Sequence, residues 1–149
     1  MSDPYMGPLT RDGVVTRYEQ GNRNFGNFDL SGVDLSGLGL AMATFTECDL
    51  RGANLRHTAL GKAYLRGADL SGADLTRASL LEADLTGADL SGARLDTASM
   101  IRVNLTGADL TGADCTNADL GGATLPDGTT YRPGMSLGSF GVTGDPMII

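Results

Sequence analysis

The sequence predicts an all-β solenoid, in which the chain coils repeatedly in one sense around an apolar axis. Two superimposed periods predict this fold. An apolar residue stands at every fifth position from 25 to 125, which makes 21 consecutive repeats without an insertion. A period of 20 residues lies on top, because Asp recurs at positions 29, 49, 69, 89 and 109 and Gly at 32, 52, 72, 92 and 112.

The period of five excludes a straight helix or strand. Five residues advance an α-helix by about 500°, so its leucines would scatter around the axis. A straight strand would turn successive leucines to opposite faces, because its side chains alternate. The chain must therefore bend within every five residues, always in the same sense. An Ala and a Leu two residues apart then point inward together, and the residues between repeats form a corner that faces water.

The period of 20 predicts four pentapeptides per coil, with like residues stacked above one another. Adjacent coils would pair as parallel strands about 4.8 Å apart, and the 21 repeats would make about five coils. Seventeen of the inward residues are Leu, and the residue two places earlier is Ala in 14 of the 21 repeats. The other four inward residues are Phe25, Phe45, Met100 and Cys115. A narrow axis filled with Leu and Ala also accounts for the lack of Trp.

The repeats carry the pattern A(D/N)LXX, seen as "ADLSG" at 68–72 and as "ADLTG" at 83–87 and 108–112. This pattern resembles the pentapeptide-repeat proteins, and the resemblance implies their right-handed quadrilateral β-helix. The stretch "RYEQGNRNFGNFDLSG" at 17–32 is similar to the lead-in of cyanobacterial members, which begin with a short helix.

The pattern divides the chain into a repeat core, 25–125, between two caps, 1–24 and 126–149. Residues 10–20 predict a short helix whose Val14, Val15 and Tyr18 pack over the first coil, with Thr10 or Asp12 as its N-cap and Gly21 as its end. The Gly-rich tail either folds back over the last coil or forms a homodimer contact. His57, Arg77, Glu82 and Asn117 occupy corners where other repeats have Gly, so we expect that not every turn needs a glycine conformation.

The sequence offers little material for catalysis or for binding a cofactor. His57 is the single histidine, and it lies at a predicted corner. Cys48 and Cys115 replace inward residues more than three coils apart, so we expect two buried thiols, no disulfide and no Cys/His zinc site. No phosphate-binding glycine loop is present. We therefore expect a protein that is not an enzyme, with no catalytic residue, no metal and no cofactor.

Residues 1–24 show no signal-peptide pattern, and no stretch approaches the roughly 20 apolar residues of a membrane helix. We therefore expect a cytoplasmic protein that does not bind a membrane. The formal net charge of −7 disfavours direct binding to nucleic acid.

The recurring Asp residues form a predicted acidic column: Asp29, Asp49, Asp69, Asp89 and Asp109. Each carboxylate either accepts backbone hydrogen bonds at its own corner or contributes to a surface that imitates a nucleic-acid backbone. Arg51 lies beside the column, and residues 25–125 contain 13 acidic and 7 basic residues, so this acidic surface is mixed. We favour the structural role for the column.

The fourth side of the coil differs from the other three. Its corners carry Met42, Leu81 and Ile101 where the other sides have Ser, Thr, Gly or a charged residue. The residues of this predicted protein-contact face are Met42, Lys62, Tyr64, Leu81, Ile101 and Arg102. Exposed apolar clusters rimmed by charge often mark protein contacts. The alternative is that these side chains pack between coils or lie under a terminal segment.

The sequence thus favours a non-catalytic protein-binding scaffold that presents a rigid, flat-sided surface to an unidentified protein. The family resemblance implies an alternative, a DNA-mimicking binder of type II topoisomerases that protects or inhibits gyrase. The uninterrupted core and the lack of an evident C-terminal helix depart from the members with that role.

Overall fold

The computed structural model describes residues 5–148 and shows a chain coiled with a period of 20 residues. Parallel bridges join each outward residue to the residue 20 positions later, from Asn24 with Thr44 to Asn104 with Thr124. Residues 1–4 of the predicted N-terminal cap and residue 149 of the predicted tail lie outside the described residues.

Each coil has four such bridges, one on each side. We number the sides by their inward positions: side 1 holds 25, 45, 65, 85, 105 and 125; side 2 holds 30, 50, 70, 90 and 110; side 3 holds 35, 55, 75, 95 and 115; side 4 holds 40, 60, 80, 100 and 120.

The apolar axis matches the predicted five-residue frame. All 21 inward positions from Phe25 to Leu125 are buried, and the most exposed of them, Leu110, shows 3% of its surface. Cys48 and Cys115 are buried and unpaired, as predicted. Thr58 is a polar residue on the axis, and its hydroxyl donates to the Leu35 carbonyl at 2.9 Å. Apart from Thr58 the axis is apolar, and the one fully buried threonine hydroxyl among the described residues has a hydrogen-bond acceptor.

Most repeats use their backbone amides in the same way, as the repeat 74–78 illustrates. The amides of Leu75 and Arg77 donate to the next coil, and the Asp74 amide donates to the preceding one. The Ala78 amide closes a turn on the Leu75 carbonyl at 2.9 Å. The remaining amide, that of Thr76, lies at the outer corner, where the coils offer it no carbonyl. It donates instead to the Asp74 side chain at 3.0 Å.

Every corner between positions 32 and 122 contains one residue in the left-handed region, two places after the inward residue. Its φ lies between 53° and 71°, and nine of these residues are not glycine. The expectation that His57, Arg77, Glu82 and Asn117 mark a different turn is wrong, because their φ values are 57°, 60°, 59° and 56°. Leu burial and the hydrogen bonds between coils hold each corner in one geometry, whichever residue occupies it.

The N-terminal residues close the first coil with a strand and a helix. Strand β1, Gly7–Pro8, pairs in parallel with strand β2, Phe28–Asp29, at the start of side 2. The predicted helix is present as α1, Arg11–Glu19, and Thr10 is its N-cap, accepting the Gly13 amide at 3.1 Å. Only Val14 of this helix is fully buried. Tyr18 anchors the other end of α1, donating from its hydroxyl to the Ala41 carbonyl of side 4 at 2.9 Å.

The C-terminal residues fold back over the last coil. Thr130 pairs with Thr124 in an antiparallel bridge, and a short 3-10 helix follows at Gly138–Phe140. Thr143 then bridges Asp114 in parallel, which adds a partial strand to the end of side 3. Tyr131 and Leu137 are buried. Among residues 5–148, no helix is long and apolar enough to cross a bilayer.

Candidate protein-binding surface

The acidic column lies on side 2, and its carboxylates cap the corner amides. In all five repeats the Asp side chain accepts the amide two residues later, at distances from 2.9 to 3.2 Å; the donors are Ser31, Arg51, Ser71, Ser91 and Thr111. A carboxylate that receives such bonds is stabilised in its charged form. The Thr111 amide, with a second bond from its side chain, accordingly lowers the pKa of Asp109.

Arginines interrupt this acidic surface. The Arg51 guanidinium lies 2.7 Å from Asp49 and 3.9 Å from Asp69, and its hydrogen bonds lower the pKa of Asp49. Further pairs join Arg56 to Asp74 at 3.2 Å and Arg66 to Asp84 at 3.3 Å, Arg94 to Asp96 at 3.8 Å, and Arg11 to Asp34 at 3.6 Å. Most positive charge outside side 4 is therefore matched locally by an aspartate.

Side 4 lacks the capping side chain in four successive coils. The position that holds Asp throughout side 2 is occupied here by Gly39, Ala59, Ser79 and Ser99, and only then by Asp119. As a result, the corner amides on this side have no hydrogen-bond acceptor among residues 5–148; these amides belong to Ala41, Gly61, Leu81 and Ile101. Asp119 restores the cap in the last coil, where it accepts the Gly121 amide at 3.0 Å.

The predicted contact residues lie together along side 4 and its corner with side 1. Met42 and Tyr64 expose 58% and 48% of their surfaces, the values of solvent-facing side chains. Leu81 and Ile101 are half-buried rather than fully exposed. They stand in register, because the parallel bridge between Ser79 and Ser99 aligns their two coils.

The terminal segments make their hydrogen bonds away from Leu81 and Ile101. Helix α1 reaches side 4 only in the first coil, where Val15 and Tyr18 lie against Leu38 and Leu40 around a small cavity. The C-terminal segment bonds to residues of the last coil, including Ala113 and Ala118. The middle coils of side 4 thus form no hydrogen bond with either end of the described chain.

Positive charge flanks side 4 on both of its long edges. Lys62 and Arg102 stand on the edge next to side 1, and Arg77 stands on the edge next to side 3. The Arg102 guanidinium lies 2.6 Å from the Glu82 carboxylate, and its hydrogen bond lowers the pKa of Glu82. Lys62 and Arg77 have no carboxylate within ion-pair distance among the described residues. Side 4 therefore carries a locally positive rim on a chain whose formal net charge is −7.

His57 is exposed at a corner, and residues 5–148 hold no group of three His, Cys, Asp or Glu side chains able to bind a metal ion. Burial raises the pKa of both thiols, Cys48 and Cys115, to about 12, so neither is a thiolate at neutral pH.

The repeat core matches a known family over its whole length. The family model for pentapeptide repeats matches in eight copies, which together run from residue 22 to residue 125. The chain belongs to the pentapeptide-repeat family. A comparison with curated protein sequences found no significant match.

Solved structures of pentapeptide-repeat proteins resemble this chain. Rfr23 from the cyanobacterium Cyanothece 51142 is 33% identical, with a TM-score of 0.59, over 63% of this chain and 64% of that one. HetL, involved in heterocyst differentiation regulation in the cyanobacterium Nostoc sp. strain PCC 7120, is also 33% identical, with a TM-score of 0.43, over 75% of this chain and 54% of that one. A pentapeptide-repeat protein from the Arabidopsis thaliana thylakoid lumen is 40% identical, with a TM-score of 0.34, over 66% of this chain and 69% of that one.

The aligned part spans less than two thirds of the length of Rfr23 and of HetL. The similarity to Rfr23 supports the same coiled fold for the repeat core.

The sequence located side 4 through its apolar corners but missed its uncapped amides. The signal for them is present in the sequence, because an Asp or Asn before the inward residue caps the amide after it. That residue is missing at 39, 59, 79 and 99. The sequence does not show, however, that the neighbouring coils offer this amide no carbonyl. Only the hydrogen bonds between coils in the structure show that the amide stays open when the Asp or Asn is missing.

Proposed function

We propose that this pentapeptide-repeat protein is a non-catalytic scaffold that binds another protein through side 4. One observation carries the proposal. Side 4 combines open backbone donors with aliphatic corners in successive coils, whereas side 2 caps every corresponding amide with its own Asp. A surface with unused donors and exposed apolar groups gains more from a partner than one whose polar groups are already satisfied.

The rigid coil supports this mode of binding. Leu burial along the axis and hydrogen bonds between coils hold the flat sides, so a partner would meet a preformed surface and cause little ordering. The proposal includes the right-handed coil of about five turns that is typical of the family. The two unpaired, buried thiols are compatible with a reducing compartment, so the proposal also includes a cytoplasmic location.

The test is capture of a partner by the immobilised protein from an extract of the cells that encode it, followed by titration of the identified partner. Leu81→Ser with Ile101→Ser should weaken binding tenfold or more, about 1.4 kcal/mol. The melting temperature should fall only modestly, because both side chains are half-buried at the outer corners and neither lies on the apolar axis. The matched control is Ser71→Ala with Ser91→Ala, the equivalent corner residues on side 2. Equal binding by wild type and the Leu81/Ile101 variant would contradict the proposal.

The alternative function, DNA mimicry toward a type II topoisomerase, would use the acidic column on side 2. The stack of five carboxylates is the observation that suggests this alternative. Each carboxylate already caps an amide, however, and Arg51 neutralises part of the stack. We expect no inhibition of gyrase supercoiling at micromolar protein, either by wild type or by Asp69→Asn with Asp89→Asn. Inhibition by wild type that the double variant abolishes would reverse this ranking.

A homodimer through the C-terminal tail is a separate proposal about assembly. The tail already donates from Thr143 and Met147 to its own last coil, so a dimer would depend on exposed apolar groups such as Ile148, which is 74% exposed. Sedimentation equilibrium of wild type and Ile148→Asp tests it, and a monomeric wild type would refute it.

A further inference from the structure

We propose that the partner of side 4 is an acidic peptide segment with aliphatic side chains. This inference rests on the proposed function and adds the chemistry of the partner. It follows from three properties of one surface: uncapped amides, aliphatic corners and a positively charged rim.

The amides require an acceptor. The donors of Ala41, Gly61, Leu81 and Ile101 repeat once per coil, about 4.8 Å apart, and the described chain offers them none. On side 2 a carboxylate oxygen fills the equivalent position in every coil, as Asp89 does for Ser91 at 2.9 Å. On sides 1 and 3 the corner amides of Thr46, Arg66 and Asp96 also lack an acceptor among residues 5–148, but only side 4 leaves four successive coils uncapped. A ligand that brings carboxylates or carbonyls to side 4 would give it the capping that side 2 already has in every coil.

The charges select between acceptors. Lys62, Arg77 and Arg102 line the middle coils of side 4, against Glu82, Asp96 and, one coil further on, Asp119. Asp96 is itself paired with Arg94 of side 3 at 3.8 Å. Two of these cations, Lys62 and Arg77, have no ion-pair partner within residues 5–148. A carboxylate-bearing segment would therefore be attracted to this side, whereas the acidic column on side 2 would repel it.

The apolar corners select a peptide over a simple polyanion. Leu81 and Ile101 lie between the charged edges, and Tyr64 stands 48% exposed beside them. Aromatic and aliphatic side chains at the centre of a patch provide most of the binding energy, and the charged rim adds rate and orientation. The four amides span three coil spacings, roughly 14 Å, which an extended peptide of four or five residues covers.

The probe is a fluorescein-labelled peptide of about eight residues that alternates Asp and Leu, and the measurement is fluorescence anisotropy. Matched peptides carry Asn or Lys in place of Asp. The acidic peptide should bind at least tenfold more tightly than either control. Heparin and a single-stranded oligonucleotide serve as anions without aliphatic groups. Binding of either as tight as that of the acidic peptide would overturn the peptide assignment.

Two sets of variants separate the amides from the charges. Ser79→Asn with Ser99→Asn should cap the Leu81 and Ile101 amides without adding charge, as Asn104 caps Thr106 at 3.0 Å. This pair should weaken the acidic peptide tenfold or more while keeping or raising the melting temperature. Lys62→Gln with Arg77→Gln should weaken it similarly. The charge control, Arg51→Gln with Arg94→Gln on sides 2 and 3, should leave the affinity unchanged.

A spectroscopic measurement locates the peptide. In a ¹⁵N–¹H correlation spectrum, the acidic peptide should shift the amide signals of Leu81 and Ile101 and leave that of Ser91 in place. Shifts confined to side 2, or no response to the Asn variants, would overturn the inference. Loss of partner binding in the Leu81/Ile101 serine variant, without any binding of the acidic peptide, would leave the proposed function standing and refute only the partner chemistry.

Discussion

Replacing Thr97 by Gly should stabilise the protein, although it removes a side chain. Thr97 has a φ of 61°, and a β-branched residue pays about 1–2 kcal/mol for the left-handed region. Its side chain is exposed, and its amide donates to the Thr116 carbonyl at 2.9 Å, a bond that glycine retains. The greater freedom of glycine in the unfolded chain costs about 0.4–1 kcal/mol. The expected net gain is therefore about 0.5–1 kcal/mol.

Equilibrium unfolding in urea measures this difference. The free energy of unfolding of Thr97→Gly should rise by that amount with an unchanged slope against urea concentration. The matched control is Gly92→Ala in the same coil. Gly92 has a φ of 65°, and an added Cβ would meet no atom within 4 Å, so no clash contributes there. The expected loss of about 0.5–1 kcal/mol is the left-handed strain less the stabilisation from a stiffer unfolded chain. A destabilised Thr97→Gly, or a neutral Gly92→Ala, would refute the left-handed corner as the source of strain.

Two further predictions concern the core and the caps. Leu75→Ala, at a fully buried position, should lower the free energy of unfolding by about 2–5 kcal/mol in denaturant melts, and a loss below about 0.5 kcal/mol would show that the five-residue frame is wrong. The hydrogen bond from the Thr116 hydroxyl, and to a smaller extent the one from the Thr116 amide, lowers the pKa of Asp114 in the folded protein. Its contribution to stability is therefore complete above the unfolded pKa of about 3.9 and is lost as the pH falls through the lower folded value. Asp114→Asn should flatten the acid limb of the unfolding free energy measured from about pH 5 to pH 2, and an unchanged limb would exclude this contribution.

The candidate site was only partly predictable for a specific reason. Leu81 and Ile101 depart from the corner composition of the other sides, so the pattern alone marked side 4. That they are half-buried, and that their amides lack an acceptor, depends on how neighbouring coils stack. Those neighbours are 20 residues away in the chain, beyond the reach of any local pattern.

The sequence by itself determined the period, the inward positions and the family of this protein. To bury an apolar residue at every fifth position, the backbone must bend in the same sense within every five residues. The recurrence of Asp and Gly every 20 residues indicates that each coil has four sides. The sequence also contained α1, because the N-cap residue Thr10 and the glycine at 21 are local signals.

Only the tertiary structure decided the conformation of the corners and the closure of the ends. The sequence indicated that His57 and Arg77 would avoid a glycine conformation, yet both adopt it, since bonds between coils outweigh the local preference of one residue. The C-terminal tail carries no repeat, and its place on side 3 is set by the free edge of the last coil, which pairs with Thr143. Local preferences amount to about 1–2 kcal/mol per residue, and a cooperative stack of coils overrides them.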